Sequence, residues 1–172
     1  MAHEDSLTGL SNRRYFDQHL SKELERAKRT HTPISLILLD VDEFKRYNDR
    51  YGHSQGDLCL QRVAAVLKAV PQRPGDFVSR YGGEEFVCIL SDTHFQGAMF
   101  LAEQICQDIA QLAITHDSST VVPYLTVSVG VQTVEGGLNT LTPDTLFTMC
   151  DKQLYLAKAK GRNQVCGHHL TI

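Results

Sequence analysis

Apolar residues recur along this chain with two different periods, and the switches between them divide it into elements. Phe16, Leu20, Leu24 and Ala27 fall at helical spacing behind Ser11 and Asn12, either of which can cap a helix. After Pro33 the run Ile34-Ser35-Leu36-Ile37-Leu38-Leu39 is almost continuously apolar, as expected of a central strand covered on both faces, and it ends at Asp40. A short helix is predicted from Lys45 to Arg50. A polar, glycine-containing loop follows, then a helix that turns Leu60, Val63, Ala64, Leu67 and Val70 inward. Phe77-Val78 and Phe86-Val87-Cys88-Ile89-Leu90 flank Gly82-Gly83-Glu84-Glu85. Such runs about a glycine pair predict a hairpin, because glycine enters positive φ without steric penalty. Ala98, Leu101, Ala102, Ile105, Ile109 and Leu112 mark another amphipathic helix. Leu125, Val127, Val129 and Val131 alternate with polar residues, which predicts a strand with one buried face. A last helix is predicted over about Pro143 to Lys160, then a short strand at Gln164 to Cys166 and a frayed tail carrying His168 and His169. This order predicts an α+β fold, with helices packed against a mixed, mainly antiparallel sheet of about five strands.

Length and charge narrow the classes. A chain of 172 residues fits one domain, 1–172, with a sizeable core. A formal net charge of −3 argues against broad binding to nucleic acid or to anionic membrane. No apolar run approaches the roughly 20 residues of a membrane span, and no signal peptide opens the chain, so a cytoplasmic location is expected. The five cysteines (Cys59, Cys88, Cys106, Cys150, Cys166) are scattered and odd in number, without zinc-finger spacing; buried reduced thiols are expected.

The hairpin tip carries the candidate chemistry. Two adjacent carboxylates, Glu84 and Glu85, lie beside a glycine backbone with no side chains to obstruct a ligand. A polyanion could approach that main chain with a cation held between ligand and carboxylate, although a solvated turn has the same composition. Four further strings accompany Arg80-Tyr81-Gly82-Gly83-Glu84-Glu85-Phe86: Asp5-Ser6-Leu7-Thr8-Gly9-Leu10-Ser11-Asn12-Arg13-Arg14, Asp40-Val41-Asp42-Glu43-Phe44-Lys45, Asn48-Asp49-Arg50-Tyr51-Gly52-His53-Ser54-Gln55-Gly56-Asp57, and Leu154-Tyr155-Leu156-Ala157-Lys158-Ala159-Lys160-Gly161-Arg162-Asn163. In this order and spacing the five strings resemble the GGDEF family of diguanylate cyclases in its GGEEF variant, from about Asp5 to about Val165.

The resemblance implies a ferredoxin-like core similar to the palm of nucleotide cyclases and polymerases, with the end of the first strand beside the hairpin. It implies condensation of two GTP into cyclic di-GMP by two domains facing each other, hence at least a transient homodimer. It implies Mg²⁺ or Mn²⁺, two ions per site, held by Asp40, Glu84 and the backbone carbonyl of Val41, with Glu84 helping to activate the attacking hydroxyl. Asp42 is expected to support or cap rather than ligate, and Glu85 ranks below Glu84. Asn48 and Asp57 are expected to read guanine, and their donor–acceptor pattern suits its edge. His53 is expected to line the ribose or base pocket. The helix start at Phe44 and Lys45 should cradle phosphate, and Lys158 and Arg162 should hold the β- and γ-phosphates. Arg73 and Asp76 match the family's inhibitory site for cyclic di-GMP; Cys106 stands where many relatives carry an arginine, so supporting contacts there are expected to be weaker or to come from another chain. Relatives attach a sensory or receiver domain ahead of the Asp5 motif, so an output module of a longer protein is expected. Two rivals remain: a non-catalytic cyclic di-GMP receptor, and an enzyme that cyclises GTP with ATP. Product identification after incubation with each nucleotide separates them.

Overall fold

The structure is a computed structural model that describes residues 2–70, 73–136 and 138–171. Helix α1 (Arg13–Thr30) starts at Asn12, whose side chain accepts the amide of Tyr15 at 3.0 Å. Strand β1 (Ile34–Val41) leads into α2 (Phe44–Tyr51) and α3 (His53–Lys68). The hairpin β2 (Phe77–Gly82) and β3 (Glu85–Ser91) is followed by α4 (Phe95–Gln111), β4 (Val127–Glu135), α5 (Pro143–Ala159) and β5 (Val165–Thr171). The five strands form one sheet in the order β2-β3-β1-β4-β5, antiparallel throughout except for the parallel β4–β5 pair.

Strand β1 is buried along its whole length because helices cover both faces of the sheet. Its odd positions Ile37, Leu39 and Val41 join a core with residues of α3 and α4, and Phe44 and Tyr47 of α2. Its even positions Leu36 and Leu38 face α1 and α5. Period-two alternation therefore sends Asp40, the next even residue, to the α5 side of the strand end. Helix α5 lies very close to β4: a Cβ on Gly130 would stand 2.3 Å from the backbone nitrogen of Leu154. That approach fixes where the last turn of α5, with Lys158, meets the sheet.

Three expectations are corrected. Strand β4 buries both faces rather than one, because its polar residues find partners inside: Ser128 donates to Asp42 at 2.6 Å and Thr133 bonds Ser35 at 2.6 Å. The tail is not frayed, since β5 runs to Thr171 and His169 meets the Glu135 carboxylate at 2.8 Å. No loop separates α2 from α3; Gly52 (φ 90°) ends one helix and starts the other, so His53 opens α3 and Asp57 lies within it. All five cysteines are buried free thiols, as expected.

Candidate active site

The site forms where β1 ends beside the hairpin. Asp40 pairs across the strands with Glu85, and residues directly opposite in an antiparallel pair project to the same face. Glu84 stands in the two-residue turn between β2 and β3, and its carbonyl accepts the amide of Val41 at 3.2 Å. Asp40 and Glu84, far apart in sequence, are thus adjacent, and Glu85 joins them. Its place was hidden because facing depends on register, which the sequence does not display.

Burial is the main cause that raises the carboxyl of Asp40; the ammonium of Lys158, 2.7 Å away, pulls the other way, and Glu84 and Asp42 push it further up. Burial also raises Glu85, with Asp40 as the next contributor. Acids that repel at the end of a sheet, opposed chiefly by one partly exposed lysine, form a donor set suited to a hard divalent cation. Among the described residues, no three His, Cys, Asp or Glu side chains form a ready cage. Mg²⁺ does not need one, since it commonly binds through one or two carboxylates and completes its shell with phosphate and water. The turn also has room: a Cβ on Gly82 or Gly83 would meet nothing within 4 Å. The residues present therefore fit such an ion.

Two anchors that motif reading did not resolve hold these groups. Asp42 is buried and accepts from Thr126 Oγ1 at 2.7 Å, Ser128 Oγ at 2.6 Å and the Asn163 amide at 3.0 Å, tying β1 to β4 and to the chain after α5. Arg80 donates to the Gly83 carbonyl at 2.9 Å while both Asp5 carboxylate oxygens grip it at 3.2 Å. The hairpin tip is thereby tethered to the N-terminal motif. Burial pushes Asp5 up, but hydrogen bonds from Thr8 and the charge of Arg80 outweigh it and hold the carboxyl below its usual range.

The other expected residues divide by location. The side chain of Phe44 is in the core, so only its backbone could serve a ligand, at the start of α2. Lys45, His53, Asp57 and Arg162 are exposed. The Oδ1 atom of Asn48 is buried against Gly56 at the α2–α3 contact, without a hydrogen-bond partner among the described residues. Glu43, ahead of α2, has left-handed backbone (φ 51°). Thr120 and Arg46 bind its carboxylate, and buried His116 meets its carbonyl at 3.1 Å. Across the sheet, Arg73 and Asp76 are brought together. The Arg73 guanidinium donates to the carbonyls of Ser91 (2.8 Å) and Asp92 (3.2 Å) and to Thr93 Oγ1, and Asp76 accepts the amides of Arg73 and Ser91 at 3.0 Å. Cys106 does not belong to this corner; it is buried, and its thiol points to the Val127 carbonyl at 3.6 Å.

A palm-like antiparallel sheet, with acids at the end of its central strand beside a glycine hairpin, defines a domain of the nucleotide-cyclase class. Residues 2–164 match the family model described as diguanylate cyclase, GGDEF domain, and the chain belongs to that family. It is 40% identical over 167 residues to the response regulator PleD of Caulobacter vibrioides, covering 97% of this chain and 36% of PleD. It is 43% identical over 168 residues to the diguanylate cyclase DgcM of Escherichia coli, covering 95% of this chain and 38% of DgcM. The chain thus spans little more than a third of the length of these curated relatives. The GGDEF domain of DgcB from Caulobacter crescentus, solved in complex with c-di-GMP, superposes with a TM-score of 0.87 at 33% identity, covering 97% of this chain and 93% of that one. No helix among the described residues is long and apolar enough to cross a membrane.

Proposed function

We propose that this domain is a diguanylate cyclase that converts two GTP into cyclic di-GMP and two pyrophosphates, and that it is the cytoplasmic output module of a longer protein. The observation that carries the reading is the convergence of Asp40, Glu84 and Glu85 at one strand end, with Lys158 2.7 Å from Asp40. In each half-reaction the 3′-oxygen of one GTP bonds to the α-phosphorus of the other. The bond from that phosphorus to the bridging oxygen breaks, pyrophosphate leaves with the electron pair, and the hydroxyl proton departs.

Asp57 accepts from the guanine edge, and Asn48, beside Gly56 at the α2–α3 contact, offers its amide to the ring acceptors. His53 borders the sugar or base. The backbone at Phe44 and the Lys45 ammonium receive phosphate at the start of α2. Lys158 and Arg162 hold the β- and γ-phosphates, Lys158 exchanging part of its bond to Asp40 for them. Asp40, Glu84 and the Val41 carbonyl would hold Mg²⁺ or Mn²⁺, two ions when triphosphate is bound, and Glu84, through its metal, would help to activate the attacking hydroxyl. Bound there, the ions neutralise phosphate charge and acidify the attacking hydroxyl. One site orients one GTP, so two copies must face each other, and positioning supplies most of the rate. Arg73 and Asp76 bind product and restrain turnover.

The test is incubation with GTP and Mg²⁺, with products separated by chromatography. Cyclic di-GMP should appear at a rate second order in protein, vanish on chelation of Mg²⁺, and fall at least about a hundredfold in Glu84→Ala with GTP binding retained. Unchanged turnover in that variant would refute the role of Glu84, and absence of product from wild type would refute the activity.

A further inference from the structure

A cavity of about 500 Å³ opens beside the β3–α4 corner, lined among others by Arg73, Asp76, Asp92, Thr93, His94 and Phe100. Its charge is poorly suited to an anion as it stands. The Arg73 guanidinium already donates to two carbonyls and a hydroxyl, and it shares the cavity wall with the carboxylates of Asp76 and Asp92. Among the lining residues, His94 is the only other side chain that can become a cation.

The structure holds His94 for that role. Its Nδ1 bonds one oxygen of Glu135 at the end of β4, and His169 of β5 bonds the other oxygen at 2.8 Å. The His169 ring is in turn stacked on Phe95, with centroids 5.5 Å apart. An oxygen of a carboxylate only accepts, so Nδ1 carries the hydrogen and any added proton goes to Nε2. The His94 side chain is 75% exposed, which keeps it accessible to ligand and solvent. Phe100, 73% exposed on the same wall, offers an apolar face on which a purine can stack.

We propose that His94 is a proton-gated second cation of the Arg73–Asp76 pocket, so that this site binds the anionic cyclic dinucleotide more tightly as the pH falls from about 8 to about 6. The inference rests on the reading of Arg73 and Asp76 as the product site. The charged and titratable groups around His94 are Arg73, Asp76 and Asp92 on the cavity wall, Glu135 of β4 bonded to its ring, and His169 of β5 on the other oxygen of Glu135; of these only His169 is a second histidine. His19 of α1 touches the Gly75 carbonyl at 3.2 Å behind the turn and is not on the cavity wall.

The experiment is calorimetric titration of the intact protein with cyclic di-GMP at about pH 6 and about pH 8 at one ionic strength, for wild type, His94→Gln, His169→Gln and Arg73→Ala. Wild type should bind about two- to fivefold tighter at the lower pH, the size expected of one exposed charge pair. His94→Gln should bind equally at both, at about the wild-type level of pH 8, and His169→Gln should keep the dependence. A pH dependence that survives in His94→Gln, or that disappears in His169→Gln alone, overturns the gating role while leaving the product site intact. Absence of binding by wild type at both pH values, or full binding by Arg73→Ala, overturns the product-site reading and the gate with it.

Discussion

Replacing Gly56 with alanine separates the geometry of base recognition from the stability of the fold. A Cβ at this position would stand 1.8 Å from Asn48 Oδ1, 2.9 Å from Asn48 Cγ and 3.2 Å from the Phe44 ring. Phe44 is packed in the core, so the amide of Asn48 is what must move. Its Oδ1 has no hydrogen bond to lose among the described residues. Turning the side chain off its rotamer costs about 0.5–1.5 kcal/mol. Alanine in place of glycine inside α3 returns about 0.5–1 kcal/mol of helix propensity. Stability should therefore change by no more than about 1 kcal/mol. Binding of GTP should suffer far more. With Asn48 reading the base as proposed, its displacement forfeits that bond and leaves a polar edge unpaired, at about 1–3 kcal/mol, or about 5- to 150-fold in affinity. Thermal melting and calorimetric titration with a non-hydrolysable GTP analogue read the two quantities in one preparation. The Asn48→Ala background supplies the cycle: Gly56→Ala should add little to the loss already present there. Wild-type affinity in Gly56→Ala, or a full additional loss in the Asn48→Ala background, would show that α2–α3 contact does not place a base reader.

Lys158→Met removes the cation that faces Asp40 and should destabilise the protein by about 1–2 kcal/mol, less than for a fully buried pair because the lysine side chain is 35% exposed; an unchanged urea midpoint would mean that the pair contributes nothing. Asp5→Asn tests the tether of the hairpin. A carboxyl held below its usual range stabilises above its unfolded pKa of about 4, and that stability is lost as the pH falls through the lower folded value. The variant should therefore melt earlier than wild type at neutral pH, by about 1 kcal/mol, with the difference closing below about pH 4; a gap that persists at low pH would assign the effect to something other than the charge.

What was legible in the sequence follows from how local each signal is. Helices α1, α4 and α5 and the buried strand β1 announce themselves by period and caps within a single segment. Strand β4 misled because Ser128, Gln132 and Thr133 look solvated in a one-dimensional pattern, whereas Asp42, Ser35 and the sheet itself absorb their polarity. The tail with His168 and His169 looked unstructured because its polar residues pair with Gln132 and Glu135, on a strand more than thirty positions earlier. Within the site, Asp40 and Glu84 were reachable from motif order, but the partnership of Asp40 with Glu85 and Lys158 required register and the seating of α5 on Gly130. The same distance hid Asp5, since nothing local connects it to the carbonyl of Gly83.

Two acids at the end of β1, Asp40 on the strand and Asp42 just past it, show how the fold distributes electrostatic work. Asp40 and Asp42 are both buried, and the charge of Asp42 reaches Asp40. Asp42 accepts from two hydroxyls and one backbone amide, supplied by Thr126 ahead of β4, Ser128 on it and the turn after α5, so the protein alone meets its hydrogen-bonding needs. Asp40 is opposed by burial, Glu84 and Asp42, and has only Lys158 in its favour. The satisfied acid fixes the strand end and draws the Arg162–Asn163 turn, left-handed at both residues, toward it. Asp40, bonded to Lys158 alone, is held beside Glu84 and Glu85. That imbalance is the physical reason to expect cation and phosphate to bind at Asp40 rather than at Asp42.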